Sequence, residues 1–375
     1  MARVVPVMAW VCPPGAAIWR RHDRRDLDGP PASGDVFNVL ADSGYVTKPH
    51  LQETARQLAA AHAAGEQAAH RLQRPAGLVF AGMGGSGIGA NFVKDACTRA
   101  MDLPFTIVKH YQLPHHATPD WHVVAVSYSG ETEETLAVTR QAKAKAIPVT
   151  AFTTGGTLAT LADEVVSLPP GFQPRHAVGA SWFSMLGWLE GSGLLNEEVP
   201  VQAAVQAVEE VDRQCAGADN AARRLATMLV DKIPQIYATP AMYGVGRFFR
   251  AMLNENAKKI ASVEMVPECN HNDFTGWGGD PDARRHFAVV MLSHAEQNPE
   301  IMKRIAFMRQ RYESWGVPWH HQQARPIHSF AEHVVEQARM FHFLDYVSFY
   351  VAEMRGVDPG EIKEILALKE YLRSG

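Results

Sequence analysis

Two short stretches of the sequence carry residue types able to hold an anion. The first, LVFAGMGGSGIGANFV (residues 78–93), runs from an apolar segment into a glycine-rich turn. Gly82, Gly84 and Gly87 satisfy G-x-G-x-x-G, the spacing of a dinucleotide-binding loop, and Ser86 sits in the same turn. The second, SYSGETEET (residues 127–135), sets Ser127, Ser129 and Thr132 around Gly130 after another apolar run. Dinucleotide binding makes a further demand, an acid at the end of the second strand to hold a ribose hydroxyl. Asp102 has roughly the spacing but precedes the second strand, PFTIVKHY, whose end carries Lys109 and His110. A single phosphate asks instead for hydroxyl and backbone N–H donors converging from adjacent loops. Gly84, Gly85, Ser86, Ser127, Ser129 and Thr132 together supply them, so the pair favours a phosphate cradle. The same Ser and Thr are also ordinary helix caps before a Glu-rich first turn. Glu131, Glu133 and Glu134 would repel a phosphate unless their side chains turn away.

Elements that could position two such turns surround them. Residues 47–72 read as a long alanine-rich helix. GLVFAG is a short buried strand, GIGANFVKDACTRAM a helix, PFTIVKHY and WHVVAVSYS strands, ETEETLAVTRQAKAKA a helix, and PVTAFTT a strand. This alternation predicts a parallel sheet covered on both faces. Beyond a helical stretch at about 200–230 the pattern repeats. QIYATPAMYGVGRFFRAMLNENAKKIA is again strand, glycine turn and helix, and HFAVVMLSH mirrors WHVVAVSYS. EIMKRIAFMRQRYESWG and VPWHHQQA mirror the helix and strand that follow, and two helices around GVDPG close the chain. The expected fold is α/β, with two tandem domains at 36–200 and 201–375. Each is a mostly parallel sheet flanked by helices in flavodoxin-like layering. Ligands in open sheets of this kind sit at carboxyl ends of strands near switch points, where both glycine turns fall.

Bulk properties narrow the function classes. The 375 residues are 46% apolar and 20% charged, an ordinary globular composition, and the net charge of -4 offers no footprint for nucleic acid. No apolar run is long enough to span a membrane. Cys12, Cys97, Cys215 and Cys269 show no C-x-x-C spacing, which points to a reducing cytoplasm rather than a disulfide scaffold. His115–His116 and His320–His321 are adjacent pairs that do not share a helix face, and no Cys or acid spacing completes a metal site. No metal or other cofactor is expected. The start of residues 1–35 looks somewhat like a signal peptide, but Pro6, Pro13 and Pro14 break its apolar part and RRHDRRD follows at once, so it reads as a disordered leader or a start assigned too early.

The pair GMGGSGIGAN and SYSGETEET resembles the sugar isomerase (SIS) domain, which binds phosphosugars. NENAKKIASVEMVPECNHNDFTGW resembles the signature of the bifunctional phosphoglucose/phosphomannose isomerases, which carry two such domains, and LDYVSFYVAEMRGVDPGEIKEILALKEYL resembles their carboxyl end. The resemblance spans about residues 40–375. It implies an isomerase acting on glucose 6-phosphate and fructose 6-phosphate, with mannose 6-phosphate as a second substrate. It also implies a role for each matching residue. Gly84, Gly85, Ser86, Ser127, Ser129 and Thr132 would bind the sugar phosphate. Glu255 would move the proton between C1 and C2, with Arg175 near the enediolate. His271, supplied across a homodimer interface, would assist ring opening, and Lys369 would help at the ring oxygen. The implied partners are a small phosphosugar and a second copy of the chain, with no nucleic acid and no membrane.

The chemistry asks for such residues. Aldose–ketose isomerisation takes a proton alpha to a carbonyl and returns it to the neighbouring carbon, which one carboxylate can do. A fixed guanidinium offsets the charge that builds on the enediolate oxygens. Each residue has a plainer reading too. On VGRFFRAMLNENAKKI the apolar face runs through Phe248, Phe249, Met252, Leu253 and Ile260. Asn256 falls near its middle, where it needs a partner or a ligand, and Glu255 falls at its edge. Glu255 and Lys259 could form a plain i,i+4 pair worth about 0.2–0.5 kcal/mol. His271 lies in the polar run CNHNDF, Arg175 follows LPPGFQP, and Lys369 stands where a helix dipole alone attracts lysine. ARMFHFLDYVSFYVAEM reads as core. Two other functions stand beside the isomerase: a non-catalytic phosphosugar-binding regulator, and an isomerase of a different phosphosugar.

Overall fold

The structure, a computed structural model, describes residues 48–374, so the leader expected at 1–35 lies outside the described residues. Two parallel sheets form from the two apolar alternations. The first has order β2-β1-β3-β4-β5, with β1 at Leu78–Gly82, β2 at Phe105–Val108, β3 at His122–Val126, β4 at Val149–Thr153 and β5 at Glu164–Ser167. The second has order β7-β6-β8-β9, with β6 at Ile233–Ala238, β7 at Ser262–Met265, β8 at Phe287–His294 and β9 at Trp319–Ala324. Every pairing is parallel. All five residues of β1, β3 and β4 are buried, as continuous apolar runs covered on both faces must be. The expected α/β class and two parallel sheets are present, and both sheets have a flavodoxin-like strand order. In each sheet the order reverses between its first strand and the strand after next, β1/β3 and β6/β8.

Several elements differ from the sequence reading. The helix expected from Gly87 starts at Gly84, so the glycine turn is itself the first turn of helix Gly84–Cys97. Helix Tyr243–Glu255 ends before Lys259, and Ile260, expected on its apolar face, is 77% exposed. Strands β5 and β7 and helix Val178–Gly191 did not stand out in the sequence. VGASWFSMLGWLEG is apolar on every side, so it shows no 3.6-residue stripe, and nearly all of it is buried.

Helix Lys48–Ala68 packs on Val178–Gly191 at glycine-to-backbone distance. A Cβ on Gly65 would lie 2.1 Å from the Ser184 carbonyl oxygen, and one on Gly187 would lie 2.2 Å from that of His62. Helix Lys48–Ala68 also packs on helix Val201–Cys215, which the sequence reading assigns to the other domain. One apolar core runs through both halves. Within it Phe92 meets Trp182 edge-on at 4.9 Å, and Phe248 meets Phe341 at 4.6 Å. Helices Gly84–Cys97 and Tyr243–Glu255 pack together at its centre. Asp95, near the end of the first, accepts a 2.6 Å hydrogen bond from the Gly244 N–H at the start of the second. At the other end of the pair, the end of the second helix reaches the chain that abuts the start of the first.

Candidate active site

Parallel pairing of β1 with β3 sets Gly82 beside Val126, so the two candidate turns leave the sheet side by side at its switch point. The Ser86 hydroxyl accepts a 3.1 Å hydrogen bond from the Tyr128 N–H, which ties one turn to the other. Ser127 is fully buried, and its Oγ lies 2.8 Å from the Thr132 Oγ1 while accepting from the Gly130 N–H at 3.1 Å. Ser129 Oγ accepts from the Glu131 N–H at 3.2 Å and is exposed. Gly84 and Gly130 adopt φ of 51° and 72°, the left-handed region that favours glycine.

Capping does not consume this turn. Thr132 is the N-cap residue of helix Glu133–Ala144 but makes no side-chain cap bond; its hydroxyl faces Ser127 instead. Met83, N-cap of Gly84–Cys97, has none either. Two helix starts with unpaired first-turn N–H groups therefore meet at one point, a favourable environment for an anion. Glu131, whose charge would oppose this, is turned away. It accepts from the Thr157 N–H at 2.6 Å and bonds the Thr157 hydroxyl, which holds its carboxyl below the usual range. Glu133 and Glu134 face Tyr111.

The second half reaches this point through Arg175. A Cβ on Gly85 would meet the Pro174 carbonyl oxygen at 2.8 Å and the Arg175 nitrogen at 2.9 Å. Only glycine lets the helix start approach that backbone so closely. The Arg175 side chain is 1% exposed. Its Nε donates to Asn256 Oδ1 at 2.8 Å, its Nη2 to the Pro359 carbonyl at 2.6 Å, and its Nη1 lies 3.6 Å from Glu255 Oε2. Burial lowers the Arg175 pKa, and the charges of Glu255, Asp345 and Asp358 oppose the shift. Burial raises the Glu255 pKa above the usual carboxylate range, against the pull of Arg175 and Lys258. A half-buried carboxylate with a raised pKa, next to a fixed guanidinium, is equipped to take up and return a proton.

The plain pair of Glu255 with Lys259 is absent. The helix ends at Glu255, Lys258 takes a φ of 50°, and Lys259 Nζ donates to the Val230 carbonyl instead. The partner that Asn256 needs is found: besides Arg175, it donates to Ser348 Oγ at 3.0 Å. Arg175 is not the surface residue its loop suggested.

His271 and Lys369 stand apart from this cluster in the single chain. His271 ends a short 3-10 helix, Glu268–His271, after β7; it is exposed and bonds no described residue through its side chain. Lys369 is exposed on helix Lys363–Ser374, whose Ile365, Leu366, Leu368, Tyr371 and Leu372 are also exposed. Asp345, 7% exposed with its carboxyl pushed up to about 6 by burial, and Asp358 face Arg175 unforeseen. The one signal for Asp345 was an acid inside the apolar run FHFLDYVSF; Asp358, in the turn GVDPG, gave none. A cavity of about 470 Å³ where His70, His122 and Glu164 meet opens at the amino ends of the strands, away from both turns.

Fold and site define a protein of two SIS-type domains, with two adjoining glycine- and hydroxyl-bearing turns in the first joined to a carboxylate–guanidinium pair from both. Residues 71–187 match the SIS domain, and residues 218–372 match the bacterial phospho-glucose isomerase C-terminal SIS domain. The chain belongs to the bifunctional phosphoglucose/phosphomannose isomerase family. A relative of that name from Aquifex aeolicus is 30% identical over 305 residues, covering 79% of this chain and 90% of the relative. A D-glucosamine-6-phosphate 4-epimerase from Sulfolobus acidocaldarius is 29% identical over 204 residues, covering 52% of this chain and 62% of that protein. Among solved structures, the C-terminal domain of a glucosamine-fructose-6-phosphate aminotransferase from Francisella tularensis shares the fold. It has a TM-score of 0.60 and 13% identity, and the match covers 83% of this chain and 98% of the other.

Proposed function

We propose that this protein interconverts fructose 6-phosphate with glucose 6-phosphate and with mannose 6-phosphate through a cis-enediol. One observation carries the reading: Gly85 in the cradle touches the Arg175 backbone, and the Arg175 guanidinium faces Glu255. A substrate phosphate anchored at Gly84–Ser86, Ser127, Ser129 and Thr132 therefore presents its sugar to a base and a fixed cation at one place. Glu255 removes the C2 proton of the aldose and returns it at C1. Arg175 offsets the enediolate charge without a change of its own protonation.

The chain acts as a homodimer in the cytoplasm, and the partner subunit's His271 assists ring opening. Two features support this: His271 is exposed and bonds no described residue through its side chain, and the exposed apolar side chains of helix Lys363–Ser374 ask for cover. Lys369, exposed on that helix, helps at the ring oxygen. No helix among the described residues is long and apolar enough to cross a membrane. Coupled assays that follow glucose 6-phosphate and mannose 6-phosphate formed from fructose 6-phosphate test the reading. Absence of both products overturns it.

A further inference from the structure

The two central helices share a glycine pair, Gly87-x-Gly89 in the first and Gly244-x-Gly246 in the second, and each follows the first strand of its sheet. The second sheet thus has a switch point of its own, where Pro240–Tyr243 follow β6 and Ala295–Asn298 follow β8. A cavity of about 950 Å³ opens there, between the halves. That volume lies within the range of about 300–1,000 Å³ typical of small-molecule sites.

Its lining is cationic. The end of the first helix contributes Lys94 and Arg99, the end of β2 contributes Lys109, and the second helix contributes Arg247. None of the four pairs with a carboxylate within 4.0 Å among the described residues. Burial and the nearby Arg247 lower the Lys109 pKa to about 8. Two acids line the cavity, Asp95 and Glu296, and His294 and His328 lie beside them. Asp95 is already engaged by the Gly244 N–H. Four cations against two acids, in a half-enclosed cleft, leave a deficit of negative charge that a bound anion would fill. At the distance past the glycine pair where the second helix carries Glu255, the first carries Thr98. This cleft has the charge to bind an anion, and of its two carboxylates neither stands at the position that Glu255 holds in the other half.

We propose that the cleft is a second ligand site for a small phosphorylated anion, a phosphate monoester or inorganic phosphate, which is held there and not isomerised. The test is calorimetric titration of the full-length protein with glucitol 6-phosphate and, separately, with inorganic phosphate. Two binding events per chain are expected with glucitol 6-phosphate. Lys109→Ala/Arg247→Ala weakens one of them by on the order of tenfold to a hundredfold for each cation removed. Ser127→Ala/Thr132→Ala weakens the other, which separates this proposal from the isomerase reading. A second event with glucitol 6-phosphate alone identifies the monoester as ligand, and one with both compounds identifies the phosphate group; either supports the site. Lys94→Ala/Arg99→Ala, at two exposed positions, repeats the test if the first pair fails to fold by circular dichroism. One binding event per chain in the wild type, or two undiminished events in every cation variant that folds, overturns it.

Discussion

Replacing Glu255 by Gln separates a chemical role from a structural one, because the structure gives the two effects different sizes. Loss of a general base lowers kcat by about 10²–10⁴-fold, or about 2.7–5.4 kcal/mol on the barrier. The structural cost is smaller. Removing one partner of a fully buried ion pair costs about 3–5 kcal/mol. Here the closest approach is 3.6 Å, longer than a hydrogen bond, and the Glu255 side chain is a quarter exposed. Arg175 also keeps Asn256, the Pro359 carbonyl and the nearby Asp345 charge. The cost therefore falls near 1 kcal/mol, a melting shift of about 1–2 °C for a chain of this size. Steady-state assays in the direction of glucose 6-phosphate formation, thermal melts and titration with glucitol 6-phosphate read the three quantities apart. Expected are a collapse of kcat, a small shift in Tm and retained binding at the cradle. Turnover within about tenfold of wild type would refute the assignment of the proton transfer to Glu255.

The pH profile follows from the same carboxylate. The base must be ionised, so kcat/KM falls as pH drops through the Glu255 pKa, and burial places that limb above the usual carboxylate range. Arg175→Gln removes the cation that holds the carboxyl down and moves the limb to higher pH; an unmoved limb assigns it to another group. Gly85→Ala drives a Cβ to 2.8 Å from the Pro174 carbonyl oxygen, so melts should show a loss of about 1–3 kcal/mol and assays a lower kcat as Arg175 is displaced. Mixing the inactive variants Glu255→Gln and His271→Ala should restore about a quarter of wild-type activity once subunits exchange, because half the dimers are mixed and each holds one intact site. No recovery in the mixture places His271 in its own chain's site. Burial raises the Asp95 pKa from 3.8 to about 7, so its stabilising contribution is full below pH 3.8 and is lost as pH rises through 7. Melting curves across that window should fall for the wild type and flatten for Asp95→Asn.

What the sequence made legible was whatever depends on short-range pattern. Continuous apolar runs gave β1, β3 and β4 of one parallel sheet, and the repeat of the pattern at β6, β8 and β9 gave the second. The hydroxyl and glycine types of the two turns favoured a phosphate over a dinucleotide. Helix Val178–Gly191 escaped because an element buried on all sides carries no periodic signal. The Glu255–Lys259 pair looked plausible because helical spacing was carried past a helix end that only the structure locates.

Tertiary packing decided the relations between distant segments. Pairing of β1 with β3 joined turns some forty residues apart. The glycine at position 85 let the 174–175 backbone close on the cradle, and burial then left the Arg175 guanidinium with Asn256, Glu255 and Pro359 as its partners. No local rule ties residue 175 to residue 255. A buried cation must find its acceptors wherever the fold supplies them, so the sequence alone determined the kinds of group at this site, and the fold determined which of them meet.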